Sequence, residues 1–375
     1  MTKPIGVYIH IPFCRKRCAY CDFYTAMLHS DMCEKYISRL EAEIYRWGDS
    51  IGRPADTVYF GGGTPSVLGE KALSRLLGAV KKAFKVKEEA EITLEVNPED
   101  ASEEFFATVR KAGFNRLSIG VQSLSNSVLK TLGRRHSSED SLRAYECARK
   151  AGFDNISLDL MLGLPDQSTN ESVRTAEKIV VLGPEHISCY MLILEGKTAL
   201  FARKDKLNFP DEEAVSQEFL EICRIFTENG YNHYEISNFA KEGKESKHNL
   251  KYWNSMEYIG IGPSAYSFID GKRFHTKGDL RGFINCPIIE EDGEGGDLNE
   301  YIMLTLRLKV GLKEENLKEL YGKKFSDSFL KKVEQMCQNG LACFKNGNFA
   351  LTREGMLVSN AIICEMTEED MYEDI

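Results

Sequence analysis

The sequence predicts an α/β protein: a parallel sheet built from six strand-then-helix units, followed by a C-terminal α+β region. Three observations carry this. Short β-rich runs alternate with longer amphipathic segments as far as about Leu194. The segments "EEFFATVRKAGF" and "SLRAYECARKAGF" both end in Ala-Gly-Phe just before a β-rich run, and a glycine past the last helical turn is a helix stop. Beyond Leu194 the strand–helix rhythm gives way to a long helix, an aromatic- and glycine-rich stretch, and then helices with a hairpin.

In order, the strands are expected at Ile5–Ile11, Thr57–Phe60, Glu91–Val96, Arg116–Gly120, Asn155–Leu160 and His186–Leu192. Helical patterns such as "MCEKYISRLEAEIYRWG" and "KALSRLLGAVKKAFK" lie between them, with apolar residues recurring at three and four. Repeated strand–helix units imply parallel strands with right-handed crossovers, hence an incomplete (β/α) barrel or a doubly wound sheet. "DEEAVSQEFLEICRIFTENGY" reads as a helix capped at Gly230, and Tyr231 to Phe274 reads as irregular. "EEDGEGGD", Glu290–Asp297, has the composition of a loop or linker. Three further helices and a hairpin turning at Asn346–Gly347 resemble a winged-helix module, with a last helix from near Arg353 and a frayed acidic tail. The expected units are residues 1–205, 206–289 and 290–375.

Composition narrows the function. The formal net charge of −9 disfavours a protein that tracks nucleic-acid phosphates, and "LKKVEQMCQ" makes a poor recognition helix. "MTKPIGVYIHI" runs straight into a strand with no secretory pattern, and no run of eighteen apolar residues occurs, so a cytoplasmic location is expected. Eleven cysteines are therefore read in a reducing compartment. Cys33, Cys147, Cys189, Cys223, Cys286, Cys337, Cys343 and Cys364 stand singly among apolar neighbours and read as small buried hydrophobes.

Cys14, Cys18 and Cys21 are different. They form C-x3-C-x2-C directly after the first strand, in a loop with Pro12, Arg15, Lys16 and Arg17. Thiolates ligate iron–sulfur clusters and structural zinc. Zinc would need a fourth ligand, for which Cys33 and His29 are candidates. A cubane on three thiolates instead leaves one iron open to a small molecule. Other strand ends are polar or glycine-rich: "GGGTPS" at Gly61–Ser66, then Glu95, Gln122 and Asp159. Barrel enzymes collect their sites at such ends. The triple glycine lacks G-x-G-x-x-G and any P-loop lysine, so nucleotide-phosphate binding is poorly supported.

On C-x3-C-x2-C after the first strand, the chain resembles the radical S-adenosylmethionine (SAM) superfamily. The resemblance implies a partial (β/α)6 radical-SAM barrel and a [4Fe–4S] cluster on Cys14, Cys18 and Cys21. SAM would chelate the open iron and be cleaved to a 5′-deoxyadenosyl radical by an electron passed through the cluster. Within the superfamily, Ile5 to about Leu194 is similar to the coproporphyrinogen-oxidase-like branch. On that match Tyr8, Gly62, Gly63, Thr64, Glu95, Gln122, Arg134 and Asp159 occupy SAM-contacting positions, with glycine amides on the methionyl carboxylate. Asp159 or Glu95 would accept hydrogen bonds from ribose hydroxyls or the amino group, Arg134 would fork a carboxylate and Tyr20 would pack on the adenine.

Two features separate the members of that branch. The oxidases resemble C-x3-C-x2-C-x-C and carry a long N-terminal extension; this sequence has Phe23 at the fourth cysteine position and only "MTKP" before its first strand. "SKHNLKYWNS" gives an H-N-x-x-Y-W pattern on His248, Tyr252 and Trp253. Imidazole ligates haem iron and flat aromatics pack on porphyrins, although such a cluster is also ordinary packing. The pattern, with "YEISNFA" and "GIGPSAYSF" around it, resembles the HemW-type haem chaperones. Tyr266 stands where relatives often place a histidine. The resemblance implies haem bound at or near His248 and passed to respiratory haem proteins, some of them at the membrane. It also implies an electron donor for the cluster; a homodimer is left open, and the net charge argues against a nucleic-acid partner. The alternative is an oxygen-independent coproporphyrinogen III oxidase of porphyrin biosynthesis.

Overall fold

The computed structural model describes residues 3–375. Six parallel strands lie side by side in chain order: β1 (Ile5–Ile11), β2 (Ala55–Gly62), β3 (Glu91–Val96), β4 (Arg116–Gln122), β5 (Ile156–Leu162) and β6 (His186–Met191). The helices that return the chain are α1 (Ser30–Ile51), α2 (Gly69–Ala83), α3 (Glu103–Ala112), α4 (Ser138–Lys150) and α5 (Thr169–Leu182). This is the partial (β/α)6 barrel. The Ala-Gly-Phe stops behave as the sequence suggests: Gly113 ends α3 at φ 112° and Gly152 follows α4 at φ 85°, both left-handed. Ser137 and Asp140 cap the start of α4 reciprocally.

Every strand alternates, and the two faces differ in kind. Val58, Phe60, Leu94, Leu117, Ile119, Leu158 and Ile187 point outward and pack with helix residues such as Leu76, Phe106, Ala148 and Ile179 in one buried core. Each such side chain contributes about 1.5–3 kcal/mol by leaving water. The inward positions are polar: Tyr59, Glu95, Arg116, Ser118, Asp159, Ser188 and Tyr190 line a common cavity. The fold is thus held from outside the barrel, which leaves its lumen free for chemistry.

The stretch expected to be irregular is regular. After α6 (Glu212–Glu228), β7 (Asn232–Glu235) and β8 (Asn238–Ala240) form a hairpin that extends the sheet beyond β6. A short helix, α7 (Lys247–Trp253), crosses back. Then β9 (Tyr258–Ile261) runs parallel to β1, followed by antiparallel β10 (Tyr266–Ile269), β11 (Lys272–Thr276) and β12 (Ile289–Glu294). The sheet has twelve strands. The acidic run expected as a linker therefore begins inside its edge strand β12. Charged side chains there discourage pairing with another chain, as an exposed edge requires.

The C-terminal segment has its own core around Ile302, Leu317, Phe329, Val333 and Phe349. Its helices are α8 (Leu298–Thr305), α9 (Glu314–Tyr321) and α10 (Asp327–Gln338), with a three-stranded sheet of Leu312–Lys313, Ala342–Lys345 and Asn348–Leu351. That is the winged-helix-like order. The helix expected from Arg353 is two, Arg353–Leu357 and Ser359–Met366. The tail is not frayed: Tyr372–Asp374 pairs with Lys323–Phe325, and Met371 and Tyr372 are buried. The segment meets the barrel through the backbone bonds Ile236 N to Arg307 O (3.1 Å) and Lys309 N to Tyr234 O (3.0 Å). The Arg307 guanidinium also lies over the Trp253 ring, 4.7 Å from its centroid.

Candidate functional site

The three cysteines of the opening loop line one cavity of about 440 Å3 at the C-terminal ends of the barrel strands. Their loop is anchored at both ends. Phe13–Cys14 pairs with Ala26–Met27, and Ala19 exchanges backbone bonds with Leu132 and Leu200 (2.8 and 2.7 Å). Cys14 is buried with its Sγ 3.5 Å from the Thr64 hydroxyl, and burial pushes its thiol up to about 11. Burial raises Cys21 as well. An Arg134 nitrogen donates to Cys18 Sγ at 3.5 Å, while Asn97 Oδ1 (2.8 Å) and the Gly120 carbonyl (2.7 Å) hold the same guanidinium.

This donor set fits a cluster. Metal binding needs thiolates, and the Arg134 charge offsets the anion that three of them create. Three thiols with an arginine beside them suit a cubane that leaves one iron open, whereas structural zinc takes four ligands. Cys33 instead packs against the barrel core. Of the singly placed cysteines, Cys189 and Cys223 are buried as expected, but Cys286, Cys343 and Cys364 are exposed.

The triple glycine works differently from the expectation. Gly62 N donates to Glu95 Oε2 (3.2 Å), Gly63 N to the Ile11 carbonyl (2.7 Å) and Thr64 N to the Phe13 carbonyl (2.9 Å). These amides are spent inside the protein and are not donors aimed at a ligand carboxylate. What the glycines supply is room. A Cβ on Gly63 would lie 2.8 Å from the Pro12 carbonyl, and one on Gly62, at φ 113°, would lie 2.7 Å from the His10 ring. Only glycines let β2 end tight against the base of the cysteine loop.

Deeper in the lumen two carboxylates share one low-dielectric space. Glu95 Oε1 accepts from the Tyr59 hydroxyl (2.9 Å), and burial pushes its carboxyl up to about 7, with the Asp159 charge adding to the rise. Asp159 accepts from Ser118 (2.8 and 3.0 Å) and Ser157 (2.9 Å); burial raises it, and these hydroxyls hold the rise back. Arg116 is 2% exposed, lines the same cavity, and its Nε has no hydrogen-bond partner. Gln122 sits at φ 65° at a break in the β4–β5 register, on the cavity wall with Tyr20, Gly62, Gly63 and Thr64. Tyr8 is the exception. It does not line the cavity; its hydroxyl bonds His10 Nδ1 (3.0 Å) and its ring packs near Tyr59 and His248.

His248 is where the structure departs most from the sequence reading. As expected, it shares one face of α7 with Tyr252, but the ring is 1% exposed. Nδ1 is hydrogen-bonded to the Thr57 hydroxyl (2.9 Å) and Nε2 to the Tyr252 hydroxyl (2.8 Å). Burial, with the Lys251 and Arg116 charges, pulls its pKa down to about 3. With both nitrogens engaged it presents no lone pair to an iron. The residue of α7 that reaches the cavity is Asn249.

Sequence reasoning missed Tyr59, Arg116, Ser118, Ser188 and Tyr190. The signal was present: "TVYF", "RLSIG", "SLDL" and "HISCY" each place a polar or glycine residue at every second position. Period-two polarity in a strand buried on both faces marks a polar lumen. At the mouth of the cavity Phe23, Ile193 and Tyr190 are 70%, 73% and 41% exposed.

Comparison with known proteins agrees with this geometry. A family model for the radical SAM superfamily matches residues 8–179, and one for the HemN C-terminal domain matches residues 297–358. A protein of Bacillus subtilis named heme chaperone HemW is 34% identical over 371 residues, covering 95% of this chain and 97% of its own. One of Escherichia coli with the same name is 38% identical over 318 residues, covering 81% and 83%. The solved structure of coproporphyrinogen III oxidase (HemN) from Escherichia coli superposes with a TM-score of 0.84 at 24% identity, over 98% of this chain and 90% of that one. At that identity it shows a shared fold.

Proposed function

Because the chain belongs to the radical SAM superfamily and, within it, to the HemW haem-chaperone family, we propose that it binds a [4Fe–4S] cluster, SAM and haem and hands haem to acceptor haem proteins. The observation that carries this is the single cavity shared by Cys14, Cys18, Cys21, Arg134, Glu95 and Asp159. When bound, the cluster with SAM on its open iron supplies one-electron chemistry, drawn from a separate donor protein.

The residues divide the work. Cys14, Cys18 and Cys21 hold the cluster, and Arg134 offsets their charge while presenting donors to the SAM carboxylate. Glu95 and Asp159 accept from the ribose hydroxyls or the amino group. Tyr20 covers the adenine. The outer core holds these groups in place without water from below. Phe23, where the oxidases carry a fourth cysteine, supports the carrier reading over porphyrin synthesis. The acceptors are respiratory haem proteins, met at the membrane surface; among the described residues no helix is long and apolar enough to cross a membrane.

The test is anaerobic reconstitution of the full chain, followed by haem titration and a coproporphyrinogen III assay on one sample. The expected result is about four irons per chain, haem uptake, haem transfer to an apo-acceptor, and no protoporphyrinogen IX. Conversion of coproporphyrinogen at catalytic turnover would overturn the carrier reading.

A further inference from the structure

His186 is 1% exposed, and no step above uses it. It lies opposite Ser157 in the β5–β6 register, the inward pair that precedes Asp159 and Ser188 and so lies farther from the cavity mouth. A chain of hydrogen bonds runs through it without a break. Ser157 donates to Asp159 Oδ1 (2.9 Å) and stands 2.8 Å from His186 Nδ1. His186 Nε2 is 2.8 Å from the Tyr234 hydroxyl, which accepts from Ser246 N (3.3 Å). Burial, with the Arg116 charge, pulls the His186 pKa well below its ordinary value, so the ring is neutral. The directions then follow by elimination. Ser157 gives its one hydrogen to Asp159, so it accepts from Nδ1–H, and Nε2 accepts from Tyr234. Every hydrogen in the chain points toward Asp159. Burial alone asks only that each polar group find a partner. It does not ask for one direction held from a cavity carboxylate to Tyr234, which is partly exposed. Leu158 and Ile187, between these residues on the same strands, face the apolar core, so the chain is a polar thread through a dry wall.

We propose that Ser157, His186 and Tyr234 form a proton path that exchanges protons between Asp159 and solvent while a ligand occupies the cavity. This rests on the SAM reading above: a ligand in the cavity fills the route from the mouth to the deeper carboxylates, so their protons must pass through the wall. The step balances. A hydronium ion protonates the Tyr234 oxygen, the Tyr234 hydrogen passes to Nε2, the Nδ1 hydrogen to Ser157, and the Ser157 hydrogen to the Asp159 carboxylate. The carboxylate becomes a carboxyl, water is left outside, and no electron moves; the reverse sequence lets the proton out. Asp159 is faced by Tyr59, Glu95, Arg116 and Tyr190, and His186 by Arg116 and Tyr234. The Arg116 cation opposes a lasting imidazolium, so a proton entering the ring passes on rather than staying there.

The test drops reconstituted full-length chain, with and without excess SAM, from about pH 8 to about pH 5. Rapid-mixing infrared spectroscopy follows the Asp159 carboxyl C=O band, assigned by its loss in Asp159→Asn. In SAM-loaded wild type the band is expected to rise within the mixing time. In SAM-loaded Tyr234→Phe and His186→Leu it should rise at least about ten-fold more slowly, to the same final height. Without SAM the three proteins should respond alike, because the open mouth admits water. Should His186→Leu not fold, as judged by iron content and thermal midpoint, Tyr234→Phe decides alone, since it removes one hydroxyl and keeps the ring. Equal rates in loaded wild type and Tyr234→Phe overturn the proposal and leave the SAM reading standing. So does a slowing that is the same with and without SAM, or a loaded wild type whose band never rises. Wild type that binds no SAM sinks both.

Discussion

Tyr59 and His248 lie stacked inside the barrel, ring centroids 5.3 Å apart with 28° between their planes. The same tyrosine passes its hydroxyl hydrogen to Glu95. The imidazole therefore props the ring that positions a cavity carboxylate. His248→Leu leaves the Thr57 and Tyr252 hydroxyls without partners, at about 1–3 kcal/mol each, and a lowered thermal midpoint is expected. The sign with pH follows from a folded pKa of about 3, below the ordinary 6.5. The stabilisation from neutral His248 is whole above pH 6.5 and is lost as pH falls toward 3. Denaturant melts of both proteins across that window should show a shallower acid limb in the variant; parallel limbs would refute this.

Glu95 gives the opposite sign. Its folded pKa of about 7 stands above the ordinary 4.5, so its contribution to stability is whole below pH 4.5 and is lost as pH rises through 7. Ligand donors prefer the ionised carboxylate, so SAM affinity should rise with pH through about 7. In Glu95→Gln the rise should vanish and the affinity fall. Calorimetric titration from pH 5.5 to 8.5 reads both, and a variant retaining the same pH profile would remove Glu95 from SAM binding.

Arg116 is a buried cation whose Nε is unpaired, and its charge pulls the Glu95 pKa down. That charge balances Glu95 and Asp159 in the same cavity, so Arg116→Met leaves two buried carboxylates without their cation and should melt several degrees below wild type at neutral pH. The pH at which SAM affinity rises should move upward. A midpoint at or above wild type would mean that the two carboxylates hold no charge for the guanidinium to balance.

Gly63→Ala places a methyl 2.8 Å from the Pro12 carbonyl, backbone against backbone. Neither side can yield without moving Phe13–Cys14. Iron and sulfide per chain after reconstitution should fall to less than about half, with little change in far-UV circular dichroism. Full cluster content in the variant would show that the loop tolerates the shift.

The six barrel strands and the cysteine loop are legible in the sequence because each is a local pattern. "IGVYIHI" and "EITLEV" form strands over the residues expected, and strand ends are where barrels keep their chemistry. The later strands are not local objects. "NHYE" and "YIGI" are four residues long and owe their conformation to β8 and to β1, the latter some 250 residues away. "EEDGE" looks like a linker because an edge strand and a linker favour the same charged residues. His248 shows a different limit. A motif names residues that occur together, but whether an imidazole faces a ligand or a threonine depends on which of two packed layers it enters.

The chain contains two tryptophans. Trp47 is stacked on Phe274 at 5.6 Å, far from the C-terminal segment in the chain. Trp253 ends the helix that brings Asn249 to the cavity, and it lies beneath Arg307 of the C-terminal segment. The protein thus carries its own optical gauge. In Trp47→Phe the remaining indole emission reports on one seam alone, so any loosening of the C-terminal segment during haem loading or hand-over can be timed without a label.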